Sequence, residues 1–89
     1  MIELTKALEL FCERHRYCLQ KNYTTKSMKG KTCVAIISRD APIFIIWNLM
    51  NELKACGLKA EAEELLWSGK ERRTKTKTIL YFPNLHVPK

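Results

Sequence analysis

Apolar positions along this chain change their spacing several times, and each change marks a predicted element. Leu4, Ala7, Leu8, Phe11, His15, Cys18 and Leu19 recur at steps of three and four, with Glu3, Lys6, Glu9, Glu13 and Arg16 on the other side. That period predicts an amphipathic helix over residues 3–20. Within the stripe, Leu4, Leu8, Phe11, His15 and Cys18 form a short heptad seam that suits the domain's own second helix or a second subunit equally. Residues 21–32, KNYTTKSMKGKT, lose the period and read as a loop or a hairpin-like excursion. Cys33–Ser38, CVAIIS, is a continuous β-branched run, the mark of a strand buried on both faces.

Asp40 is a candidate N-cap and Pro42 fits a first helical turn, where its missing amide costs nothing. A second helix is therefore predicted over residues 41–56, its first turns apolar on nearly every side and Trp47 placed in the core. Gly57 ends it as a left-handed cap. Leu58–Ser68 predicts a third helix with Ala62, Leu65 and Leu66 inward and Glu61, Glu63 and Glu64 outward, and Gly69 reads as another such cap. After it, Thr74, Thr76 and Thr78 alternate with Lys75 and Lys77 and run into Ile79–Phe82, which predicts one strand stopped by Pro83. Residues 84–89 read as an extended tail on a single domain of residues 1–83.

The resulting fold class is α+β: three helices packed on a short, two- to three-stranded antiparallel sheet in the order α-β-α-α-β. Two strands alone are marginal, which leaves either an unrecognised strand within 21–32 or a second subunit, and hence a homodimer, to complete the sheet. The order resembles that of winged-helix proteins, a likeness of element order with no family motif behind it. A third helix bearing Glu61, Glu63 and Glu64 opposes the usual use of that fold, because a recognition helix lies between two phosphate backbones. In a winged arrangement the basic wing of Arg72–Lys77 would be the main contact.

Length and composition narrow the function. Eighty-nine residues allow one modest core and exclude a multidomain enzyme. The longest apolar stretch, residues 41–50, falls far short of the roughly 20 residues that cross a bilayer, and the charged N-terminal segment lacks the apolar core of a secretory signal. A cytosolic protein with reduced cysteines is the expectation. The formal charge of +7 is unevenly spread: residues 1–19 sum to zero, 20–40 to +4, 41–69 to −2 and 70–89 to +5. A loop and a strand carrying the excess can meet on one surface and attract phosphates.

Lys70, Arg72, Arg73, Lys75 and Lys77 are the candidate phosphate-contacting strip, with Lys26, Lys29 and Lys31 beside it. Tyr23 and Tyr81 lie near the two segments and are candidates for stacking on bases. The plain alternative is that these lysines solubilise the chain and guard an edge strand. Cys12, His15 and Cys18 have the ligand types of zinc, but positions i and i+6 of a helix lie about 9 Å apart along the axis, too far for one ion, so packing is the favoured reading. No glycine-rich phosphate loop, nucleophile elbow or H-E-x-x-H is present. The sequence therefore points to a non-enzymatic accessory or regulatory protein without cofactor, metal or small-molecule substrate, binding DNA or RNA with low sequence specificity. The second reading is an inhibitor or adaptor for an acidic protein, with Trp67 as an anchor on the acidic helix.

Overall fold

The computed structural model describes residues 3–39 and 45–86. The Asp40 cap and Pro42 expected for the second helix lie outside them.

Helix α1, Leu4–His15, buries Ala7, Leu8, Phe11 and Cys12. It stops well before residue 20 because Arg16 turns left-handed, with φ 60° and ψ 36°. The Arg16 N–H donates to the Glu13 carbonyl at 3.4 Å and the Tyr17 N–H to the Cys12 carbonyl at 2.8 Å, the bond pair of a Schellman stop. Helix α2, described from Ile45 to Ala55, ends in the same motif around Gly57, with φ 84°. Glycine has no Cβ to clash in that conformation, whereas Arg16 has one, at a cost of roughly 1–2 kcal/mol.

The early stop frees Cys18–Tyr23 to form strand β1, which takes residues expected in the helix and in the basic loop. β1 pairs with β2, Cys33–Ser38, and carries a bulge between Gln20 and Tyr23. Helix α3 spans Lys59–Ser68. The single strand expected near the C-terminus is instead a hairpin of β3, Lys70–Arg73, and β4, Thr78–Phe82. Thr74 builds the turn: its hydroxyl accepts from the N–H groups of Thr76 at 3.3 Å and Lys77 at 3.1 Å, and its own N–H donates to the Lys77 carbonyl at 2.9 Å. Residues 74–77 thus leave the alternating pattern that their Thr-Lys repeat suggests.

All three strand pairings are antiparallel and the sheet order is β1-β2-β4-β3. The α+β class with three helices therefore holds, with four strands rather than two or three and the order α-β-β-α-α-β-β. The strand that completes the sheet comes from the chain itself, which removes the argument for a second subunit. With β1 set aside, the elements follow in the order helix, strand, two helices and a hairpin that turns at residues 74–77. No helix among the described residues is long and apolar enough to cross a membrane.

The sheet has a core on each side. Val34, Ile36, Leu80 and Phe82 face the helices and meet Leu8, Phe11, Leu49, Leu53 and Leu65. On the outer face Cys33, Ala35, Ile79, Tyr81 and Tyr23 form a smaller cluster, with Met28 and Ile37 packed against it. β4 is consequently buried at all five positions.

Gly69 is not a left-handed cap: its φ is −66°, and its role is space, since an added Cβ would lie 2.8 Å from the Leu65 carbonyl and 3.1 Å from the Phe82 ring. Beyond Pro83 the chain is held rather than loose as far as it is described. The Val34 N–H donates to the Leu85 carbonyl at 3.0 Å, and Leu85 packs on the helix-side core.

Candidate nucleic-acid interface

Pairing register decides which basic side chains share a face. Lys70 lies opposite Tyr81 and Arg72 opposite Ile79, so both belong to the outer face; Glu71 and Arg73 lie opposite Leu80 and Thr78, on the helix side. Arg73 Nε donates to Glu71 Oε1 at 2.9 Å. The candidate strip is thus split: Lys70 and Arg72 go outward, Arg73 is paired on the other side, and Lys75 is exposed in the turn. Lys77, at the end of that turn, lies with Arg16 and Arg39 at the far end of the sheet.

The basic loop reaches the outer face through Met28. A 3-10 turn, Lys26–Met28, lets that methionine pack on the outer cluster, and the Thr24 hydroxyl closes the loop by donating to the Lys31 carbonyl at 2.7 Å. The loop is thereby fixed beside β3. Lys26 and Arg72, one from each basic segment, line an open cleft of about 550 Å³ together with Thr24, Thr25, Ser27 and Tyr81. The two cations are donors suited to phosphate oxygens, as is one proton of the hydrogen-bonded Thr25–Ser27 hydroxyl pair, whereas the Thr24 proton is already given to the Lys31 carbonyl. Lys29, with φ 52°, and Lys31 are exposed on the return of the loop and do not line this cleft. Lys21 is already engaged: its Nζ lies 2.7 Å from Glu9 Oε1, and that hydrogen bond and charge hold the Glu9 carboxyl below its usual range.

The tyrosines are not stacking platforms. Tyr23 and Tyr81 are 9% and 8% exposed, with ring centroids 5.2 Å apart. Arg72 Nη1 donates to the Tyr23 hydroxyl at 3.4 Å, so these rings support the cleft instead of facing a base. Nothing in the sequence distinguishes a tyrosine beside a basic run that packs from one that stacks.

The zinc-like trio is dispersed by the early end of α1, since Cys18 belongs to β1. The rings of His15, Phe11 and Tyr17 form a three-membered cluster, and His15 Nε2 lies 2.6 Å from Glu52 Oε2. Arg14 Nη1 approaches the other Glu52 oxygen at 2.7 Å, an ion pair without hydrogen-bond alignment, so α1 and α2 are joined by a small charge bridge. Burial pushes the Cys12 thiol up to about 12 and raises Cys33 as well, leaving both inert as nucleophiles.

Trp47 is 65% exposed, against the expectation of a core residue, because Ile45, Leu49 and Leu53 form the inward row of α2. Trp67 is 88% exposed and its neighbour Leu66 is 44% exposed rather than inward. The small cavity of about 80 Å³ near α3 includes Glu61 and Glu64 and does not suit an anion. No protein-family model, curated protein or solved structure matches this chain.

Proposed function

We propose that this chain binds nucleic acid through backbone phosphates, with little sequence preference and no catalytic step, as an accessory or regulatory protein. The observation that carries the reading is the Lys26–Arg72 cleft, where the two basic segments contribute one cation each beside the Thr25–Ser27 hydroxyl pair. Phosphate contacts of this kind fix a strand in place without reading bases, and the buried tyrosines agree with that division of labour. Four free cysteines, two of them exposed, suit a reducing cytosolic setting.

The test is binding of fluorescent single-stranded and duplex oligonucleotides over a salt series. Lys26→Gln with Arg72→Gln should lower affinity about tenfold and flatten the plot of log affinity against log salt by about 1.4 for a single strand, two contacts' worth. Unchanged affinity and slope would remove this site.

A second reading has its own observation. Trp67 and Leu66 stand exposed beside Glu63 and Glu64 on α3, the arrangement of an aromatic anchor with a charged rim. An inhibitor or adaptor that meets a partner protein would use that helix and present its basic outer face to acidic groups. Protein purified without absorbance excess at 260 nm, and retarding neither DNA nor RNA at low salt, favours this second reading over the first.

A further inference from the structure

A second basic cleft, of about 530 Å³, opens at the other end of the sheet, where the stop of α1, the start of β1, the end of β2 and the β3–β4 turn come together. Arg16, Arg39 and Lys77 line it from three separate stretches of chain, with His15, Tyr17 and the Cys18 thiol beside them. No carboxylate lines it among the described residues, and none of the three cations takes part in an ion pair there. Glu52, bonded to His15, is shared with Arg14. Three positive side chains lining one cleft, with no carboxylate among its described residues, repel one another and focus a positive potential into it. The placement of Arg16 adds an independent observation. It holds the left-handed position of a Schellman stop that α2 fills with Gly57, so a side chain is kept where the backbone favours none.

We propose that this cleft binds a phosphate group, with the Arg16 and Arg39 guanidiniums and the Lys77 ammonium donating to its oxygens. For the source of that phosphate the proposal rests on the nucleic-acid reading. Cys18 and Ile37 place the cleft at the edge of the same outer face that holds the Lys26–Arg72 cleft. Across the sheet Arg72 stands opposite Ile79, Ile79 opposite Ile37 and Ile37 opposite Cys18, so Arg72 and the Ile37 lining of the second cleft share one level of that face, two strand spacings or about 10 Å apart. A short strand spans that distance and can engage both clefts.

Cys18 is a built-in reporter, because it is exposed in the cleft while Cys56, exposed at the end of α2, serves as reference; Cys12 and Cys33 are buried. Iodoacetamide labelling of the full chain is followed at each cysteine by peptide mass, with pyrophosphate or with a ten-nucleotide single strand, against chloride at matched ionic strength. Slower labelling of Cys18 alone, by threefold or more, is the expected result, and Arg16→Gly with Arg39→Gln should abolish it. Glycine suits the left-handed position, so loss of protection in that variant reports a lost cation and not a lost fold, which circular dichroism checks. The same variant should bind the oligonucleotide about tenfold more weakly.

Protection by pyrophosphate without any oligonucleotide binding upholds the cleft, makes free phosphates its ligand and rejects the nucleic-acid reading. Oligonucleotide binding that leaves Cys18 labelling unchanged, with pyrophosphate also without effect, overturns the cleft and leaves that reading standing. Protection that survives Arg16→Gly with Arg39→Gln overturns it too.

Discussion

Replacing Gly69 by alanine sets two physical effects against each other, and the sign of the result decides between them. The backbone at Gly69 is extended, with φ −66° and ψ 142°, a conformation open to any residue. Alanine would therefore stabilise through the unfolded chain by about 0.4–1 kcal/mol if space allowed. Space does not allow it. The new Cβ would stand 2.8 Å from the Leu65 carbonyl oxygen, which already accepts the Gly69 N–H at 2.7 Å, and 3.1 and 3.2 Å from two carbons of the Phe82 ring. Phe82 is fully buried on the helix side of the sheet and cannot swing away, so the last turn of α3 must part from β4. Overpacking of this kind costs about 1–3 kcal/mol, which leaves a net loss of roughly 1–2 kcal/mol.

Urea unfolding followed by circular dichroism measures it, with Gly57→Ala as the contrast. At Gly57 an added Cβ meets nothing within 4 Å, so only the positive φ is penalised, by about 1 kcal/mol. A Gly69→Ala protein as stable as the parent, or more so, would refute the packing argument.

Two further outcomes test the interior. Thr78 is fully buried on the helix side and its hydroxyl has no hydrogen-bond partner among the described residues; Thr78→Val should raise stability by about 1 kcal/mol in the same urea assay, and a loss of similar size would show the hydroxyl to be bonded. The Cys12 thiol, pushed by burial from its ordinary value near 9 to about 12, stabilises the fold fully below pH 9 and loses that contribution as pH rises through about 12. Three pH units correspond to an order of 4 kcal/mol, so Cys12→Ala should flatten the decline in stability between pH 9 and 11, and parallel curves would refute it.

The sequence carried the helices and the β-branched strand through periodicity, because a helix that buries one stripe and a strand buried on both faces leave unmistakable spacing. It did not carry β1. Leu19–Asn22 is a polar edge segment, and the stop that releases it is made by Arg16, a residue that gives no punctuation, where Gly57 does so plainly. The β3–β4 turn was hidden for a similar reason: Thr74 supplies through its hydroxyl what glycine or asparagine would have advertised. For the interface, residue type picked the two basic segments but not their grouping. Register sends Arg72 and Arg73 to opposite faces, and Met28, an apolar residue inside a basic loop, is what sets Lys26 beside Arg72. Arg16 lies in the balanced first segment and Arg39 beyond the basic loop, and only the folded chain brings them to Lys77.

The unequal burial of the hairpin's two strands has a consequence for motion. β4 is flanked by strands on both sides and buried at every position, so its amides should be among the last to exchange with solvent. β3 is an edge strand of four residues, all exposed, and it takes no part of either apolar cluster with it when it opens. It can fray from β4 at low free-energy cost while the domain stays folded. Lys70 and Arg72 therefore ride on an adjustable margin beside a rigid wall, which under the proposed binding mode lets them meet phosphates at more than one spacing.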